Sequence, residues 1–507
     1  MTGSTTNLRL RLNFGEISYD ARNKAEPNSE IASPPGKLTS HAKGPRSFAF
    51  FGHFDGTNFG NESSLQAILY NLRRFQPDAR VTCICSDPQI TASTYNVQAV
   101  PFSGAPRKRW HPKSRLTKML RKFCVALGQP LRWLRCMHSL RSVETLIVPG
   151  TGLLTDSYGL GGWGPGGLLK WSLLAKARGC KVALVSIGAG PINGTIGKWC
   201  TKLILSLAVF RSYRDASTVR YLDKIGLAGD NEAVIPDLAF SLPESVVPRR
   251  ERAVADNPVV GLGVMVASGV YGDRIATQAA FRKYLDTLVE TSIWLLGHGY
   301  DIRLLSGDLA DWPARRAFMR AIETRLSATD LARIIDEPVN SFADVLAQIA
   351  SSDLVVATRF HNIVFGFLCG KPLISISFHH KCESLMAMMG MSDYCLEMRG
   401  LGVDRLIDAL RQLDANAEEL RHSIKTRVTA FRETLDRQYE VLFGTAEQSM
   451  QAAELIANAG AASFTAGRDA VGSELDGKTG QASDKQIHAN ARQEHGVLQT
   501  ASSDRIS

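Results

Sequence analysis

The stretch Asp353-Leu-Val-Val-Ala-Thr-Arg-Phe-His-Asn-Ile-Val-Phe-Gly-Phe-Leu368 carries the fold in miniature. Leu354 to Ala357 read as a buried strand, and a second apolar run, Ile363 to Leu368, follows at once. Arg359 and His361 stand two apart at the junction. Where a strand feeds a helix, unpaired backbone N–H groups point outward and favour an anion. Arg359 offers a planar fork for a carboxylate or phosphate, and His361 can exchange a proton near neutral pH. The competing structural reading is an ion-paired arginine beside a surface histidine.

The same alternation extends in both directions. Ser47 to Gly52, Arg80 to Ser86, Thr145 to Val148 and Lys181 to Ile187 read as strands. Leu65, Ile68, Leu69 and Leu72 mark one helix between them, and Leu168 to Ala177 another. In the second half, strands Val259 to Val266, Ile302 to Ser306 and Pro372 to Ser377 alternate with helices Phe281 to Gly297 and Phe342 to Ala350. This pattern predicts an α/β fold of two Rossmann-like, doubly wound domains with a cleft between them. Ligands of such sheets sit beyond the carboxyl ends of the strands.

Composition sets the outer bounds. The chain has 507 residues, 44% apolar and 21% charged, with a net charge of +10. A fully disordered chain, a collagen and a small disulfide scaffold are excluded. Residues 1–45 and 446–507, rich in small and polar residues, read as a disordered arm and tail, with a brief helix at Ala452 to Ala462. The first domain then spans 46–241, a linker rich in Pro and Arg spans 242–256, and the second domain spans 257–445. The longest apolar runs, Leu203 to Phe210 and Val259 to Val266, fall far short of the roughly 20 residues of a membrane span. The N-terminus, with Arg9 and Arg11, lacks the apolar core of a secretory signal. Nine cysteines without a CxxC pair read as reduced thiols of a cytoplasmic protein, with no metal. Cys83 and Cys85 share one face of their strand, with Ile84 on the other.

The charge is uneven. From Pro88 to Val143 there is no Asp or Glu against eleven Lys and Arg, all within 107–141. Leu116, Met119, Leu120 and Phe123 recur there at helical spacing. Such a basic amphipathic segment suits an anionic membrane surface; the alternative is a solvated helix packing its apolar stripe on the neighbouring domain. No recognised nucleic-acid module accompanies the charge.

Other junctions bear candidate residues. The loop Gly56-Thr-Asn58-Phe-Gly60-Asn-Glu62 permits close backbone approach to an anion, or is a tight turn capped by Asn61. It is not GxGxxG, and the chain contains no GxxxxGK[ST], so no nucleotide cradle is indicated. Gly150-Thr151-Gly152 closes the third of these strands. Arg214 is a cation at a strand-to-helix junction, beside Asp215 and Ser217, either of which suits a helix cap. Asp237, after Pro236, reads as a general base, a positioning residue or a turn residue.

Together these motifs resemble the polysaccharide pyruvyl transferase family over about residues 47–395. They are the Thr57 to Glu62 loop, Gly150-Thr-Gly-Leu-Leu-Thr-Asp156, Arg214-Asp-Ala-Ser217, Asp237-Leu-Ala-Phe240, Arg359-Phe-His361, and Lys381 after the strand Leu373 to Ser377. Two departures are Asn61, where the family often has Asp, and Thr151, where it often has Gly. The resemblance implies a fold of the GT-B kind. It also implies transfer of the pyruvyl group of phosphoenolpyruvate onto a sugar diol of an exopolysaccharide or cell-surface glycan, with release of phosphate. By the same resemblance Arg214, Arg359 and His361 contact phosphoenolpyruvate; the donor's two anionic groups and its enol carbon then suggest Lys381 as a further cation and His361 as the acid. Asp237 or Glu62 would receive a hydroxyl proton, and Asn58, Gly60, Gly150 and Gly152 would line the site. No cofactor or metal is implied beyond the donor substrate. The implied acceptor is a lipid-linked oligosaccharide at the cytoplasmic membrane face, a location that the basic segment suits. Two other readings stay open: a GT-B glycosyltransferase using a nucleotide sugar, and a non-catalytic glycan-binding or membrane-docking partner.

Overall fold

The computed structural model describes residues 45–104, 128–150, 152–159, 162–229, 232–248, 257–265 and 278–456. Within them the apolar runs form two sheets. The first comprises β1 (Ser47–Phe51), β2 (Arg80–Cys85), β3 (Gln98–Pro101), β4 (Thr145–Pro149), β5 (Lys181–Ile187), β6 (Phe210–Tyr213) and β7 (Ala233–Val234), in the spatial order β3-β2-β1-β4-β5-β6-β7. The second comprises β8 (Val259–Gly263), β9 (Asp301–Leu305), β10 (Ile334–Ile335), β11 (Leu354–Ala357), β12 (Leu373–Ser377) and β13 (Cys395–Glu397), in the order β10-β9-β8-β11-β12-β13. Every pairing is parallel. Helices cover both faces, which is why the central strands read as unbroken apolar runs instead of alternating ones. Cys83 and Cys85 enter one core and Ile84 the other, as the period of two requires.

Two details differ from the sequence pattern. β3 is a short, half-buried edge strand whose Gln98 and Pro101 hide it from an apolar-run search. The run Leu203 to Phe210 is divided, its first residues closing a helix and Phe210 opening β6.

The helices used below are α1 (Phe59–Phe75), α2 (Gln129–Ser139), α3 (Pro165–Ala177), α4 (Thr195–Leu207), α5 (Ala216–Lys224), α6 (Phe360–Leu368), α7 (His380–Met388) and α8 (Ala417–Phe443). Strand order reverses between β1 and β4 and again between β8 and β11. Each half therefore opens a crevice at the carboxyl ends of those strands.

The last of these helices ties the halves together. α8 leaves the second half and packs across the first. Phe443 stands edge-on to Phe48 at 5.3 Å, and its carbonyl accepts from Gln76 Nε2 at 2.8 Å. Buried Gln438 accepts from Ser212 Oγ at 2.5 Å and donates to Ser186 Oγ at 3.2 Å. Tyr439 meets Ser241 hydroxyl to hydroxyl at 2.7 Å. After a break at Gly444 and Thr445, residues 446–456 form a further helix with Ala452 buried, where the sequence pattern places the start of a disordered tail. The arm to 44, the stretch 105–127, most of the linker and the tail from 457 lie outside the described residues. Among the described residues, eight cysteines are free thiols, and no helix is long and apolar enough to cross a membrane.

Candidate active site

β5 and β6 deliver the first functional side chain. β5 is irregular between Leu184 and Ile187, with Ser186 at φ 48°, and this turn sends Gly188 to Gly190 out beyond the sheet. Next to it β6 ends at Tyr213. Asp215 caps α5, accepting from the Thr218 N–H at 2.7 Å and from Ser217 Oγ at 2.5 Å. Arg214, between strand and cap, projects into the cleft past Gly188, where a Cβ would lie 2.6 Å from the guanidinium.

The second half meets it there. Phe360, the first residue of α6, lies under Arg214 with 4.6 Å from guanidinium carbon to ring centre. Lys381, in the first turn of α7, holds its Nζ 5.4 Å from the same ring. One aromatic ring thus gathers two cations. Asp237 Oδ2 stands 3.9 Å from Arg214 Nη1 and 4.0 Å from His361 Nε2. Its Oδ1 accepts from the Ala239 N–H at 3.1 Å. The His361 ring fills the space a side chain at Gly60 would occupy: a Cβ there would lie 2.0 Å from the imidazole. A glycine of the first half is thereby matched to a histidine of the second.

A hollow open to solvent adjoins this cluster. Gly152, Tyr158, Gly188 and Arg214 line it from the first half, and His379, His380 and Lys381 from the second. A smaller one lies between Asp215, Asp237, Phe360 and Leu385. Arg214 Nε, Asp215 Oδ2, Asp237 Oδ2 and His361 Nε2 are all buried without a hydrogen-bond partner. Arg214 Nε and Asp215 Oδ2 stand 3.5 Å apart as an ion pair, and polar atoms short of hydrogen bonds gathered in one cluster suit a polar guest.

The electrostatics follow from burial and charge. Burial, and then the cations of Arg214, Lys381 and Arg359, hold the His361 imidazole well below its ordinary range. The ring is therefore neutral near pH 7. Burial pushes the Asp237 carboxyl up, against the pull of Arg214. His380 is lowered, chiefly by burial.

Arg214, His361, Asp237, Lys381 and Gly60 of the sequence candidates meet in this cluster, and Gly152 lines the hollow. Arg359 adjoins it, its guanidinium gripped by buried Asp311 at 2.6 and 2.8 Å. Asn58, not Asn61, caps α1: its Oδ1 accepts from the Gly60 and Asn61 N–H groups, both at 3.1 Å. Its Nδ2 crosses to Asp308 Oδ2 of the second half at 3.0 Å. Glu62 turns away from the cluster, accepting from the Gly56 N–H at 2.9 Å and the Tyr95 hydroxyl at 2.5 Å, so its oxygens hold the loop together. Gly150, at φ 50°, packs closely against Ser64. Thr151 and the 105–127 part of the basic segment lie outside the described residues.

Sequence reasoning gave no role to Phe360, Gly188, His379, His380 or Asp311. The first four lie at carboxyl ends of strands, so a search of every strand end would have found them. Asp311, in a turn after β9, carries no local signal.

Two parallel doubly wound halves, with a polar cluster between their carboxyl edges, define a GT-B architecture. Solved structures bear this out at the level of fold. A protein described as a candidate UDP-N-acetylglucosamine 2-epimerase of Listeria monocytogenes aligns with a TM-score of 0.51 at 11% identity, covering 78% of this chain and 96% of that one. A second UDP-N-acetylglucosamine 2-epimerase aligns at 0.50 and 12% identity, with the same coverage. The sequence model of the polysaccharide pyruvyl transferase family matches residues 58–380, and the chain belongs to that family. No curated protein sequence matches the chain.

Proposed function

We propose that this protein transfers the pyruvyl group of phosphoenolpyruvate onto a diol of a cell-surface or exopolysaccharide repeat unit, releasing phosphate. The observation that carries this reading is the convergence of Arg214 and Lys381 on one hollow, with buried Asp237 and half-buried His361 beside them. Phosphoenolpyruvate bears a carboxylate and a phosphate, and two cations lining one hollow answer that pair of charges. Arg359 is taken up by the ion pair with Asp311 beside the hollow, so the donor's charges fall to Arg214 and Lys381.

Arrival of the anion offsets the cations that keep His361 neutral, so the imidazole takes up a proton. It passes that proton to the enol methylene carbon, and C2 becomes electrophilic. One sugar hydroxyl adds at C2, and its proton goes to Asp237. The bond from C2 to the phosphate oxygen breaks, and phosphate leaves with the electron pair. The neighbouring hydroxyl adds in turn, and its proton goes to the His361 imidazole, which gave one up to the methylene carbon. The products are a cyclic ketal bearing a methyl and a carboxylate, and inorganic phosphate. The scheme calls on no metal or nucleotide.

The test is phosphate release from phosphoenolpyruvate in the presence of lipid-linked oligosaccharide acceptors. Release should depend on the acceptor and fall by about a hundredfold or more in His361→Ala, with the fold retained. Turnover of a nucleotide sugar in place of phosphoenolpyruvate would make the protein a glycosyltransferase. Saturable glycan binding without either reaction would make it a binding partner.

A further inference from the structure

α2, α3 and α4 pack side by side on one face of the first half, with α3 in the middle. Helices that cover a parallel sheet normally turn polar side chains outward. These three do not. Leu131, Trp133 and Leu134 stand out from α2, Leu173 from α3, and Ile196 and Trp199 from α4. Ile196 is 60% exposed and Trp199 59%. Among these apolar groups the same helices carry Arg132, Arg135, Lys170, Lys176, Lys198 and Lys202, and not one Asp or Glu. The acid beside α4, Asp156, is spent on the N–H groups of Asn193 and Gly194 at 2.7 and 2.8 Å.

We infer that this face docks the protein on an anionic lipid surface. Tryptophan and leucine side chains set among lysines and arginines match the boundary between head groups and acyl chains. The cations meet the negative surface potential of acidic lipids. A second copy of the chain is a poor occupant: a twofold contact through this face would set six cations against six. Docking also has a bearing on access. The segment that brings Gly188, Ala189 and Gly190 to the hollow reaches Ile196 six residues later, so the mouth of the hollow and the lipid contact share one strand-to-helix connection. An acceptor carried on a lipid would be presented at that mouth. The docking itself stands independently of the pyruvyl-transfer reading.

Sedimentation of the full chain with lipid vesicles tests the inference. Vesicles of phosphatidylcholine are compared with vesicles that also contain phosphatidylglycerol. Binding should require the anionic lipid. The α4 variants Ile196→Ser/Trp199→Ser and Lys198→Gln/Lys202→Gln should each weaken it by about tenfold or more. All four positions lie at or near the surface, and circular dichroism checks that both variants fold. Undiminished binding by both variants would assign vesicle binding to the 107–122 basic run alone and overturn the proposal. Binding indifferent to phosphatidylglycerol would overturn it too. So would a dimer that Ile196→Ser/Trp199→Ser converts to monomer while vesicle binding is unchanged, because the face would then be a self-association surface.

Discussion

His361 sits within reach of Asp237 and among the cations of Arg214, Lys381 and Arg359, with Gly60 against its ring. Its charge state is set by this company. Burial and three positive neighbours keep the folded-state pKa well below the usual 6.5. A bound anion cancels part of the repulsion and raises it. A group whose pKa rises on binding takes up a proton wherever the pH lies between the two values. Phosphoenolpyruvate binding at mildly acidic pH should therefore be accompanied by net proton uptake, lost in His361→Gln. Calorimetry in buffers of differing ionisation enthalpy measures it. Zero uptake at every pH tested would remove His361 as the acid. The Arg359-Phe-His361 motif is visible in the sequence, but not that Asp311 would take the arginine's fork while Phe360 gathered Arg214 and Lys381. Those partners come from three distant segments, and no local pattern encodes such pairings.

At the scale of the element, the start of α1 is where the two halves are matched. Asn58 closes the first turn and reaches Asp308, and Gly60 leaves the gap that the His361 ring fills. Gly60→Ala should destabilise the protein by about 1–3 kcal/mol, because a methyl group has no room beside the ring. In the His361→Ala background that cost should largely vanish, since the space is then free. A double-mutant cycle from denaturant unfolding measures the coupling, and additive costs would contradict the packing described here. The long periodic elements were legible in advance: Phe342–Ala350 and Leu354–Ala357 fall where the apolar spacing puts them. β3 and β10 were not, because short edge strands bury too little to leave an apolar run. The cap of α1 was read as Asn61 because the spacing does not reveal which asparagine is extended; in the fold it is Asn58, with ψ 104°.

Across the whole molecule, α8 is the tie between the halves, and its contacts are unequal. Gln438 satisfies the buried hydroxyls of Ser186 and Ser212, whereas Asp436 meets Arg74 at 2.9 Å on the surface. Gln438→Ala should cost about 1–3 kcal/mol, because it strands buried polar groups. Asp436→Ala should cost less than about 1 kcal/mol, because its ion pair is solvated. Chemical denaturation of the two variants gives the comparison, and equal costs would mean that α8 is not anchored through its buried glutamine.

The sequence by itself determined that the chain alternates strand and helix twice over, with cations, a histidine and small residues where strands end. Those features follow from local spacing, since hydrophobic periodicity and glycine placement act over a few residues. Only the tertiary structure decided that Arg214, Asp237, His361 and Lys381 meet in one cluster while Glu62 turns inward. It also decided that three helices remote from one another along the chain join their apolar and basic side chains on one face. Such choices depend on which strands become neighbours and how the halves close, and that is fixed by burial summed over the whole chain.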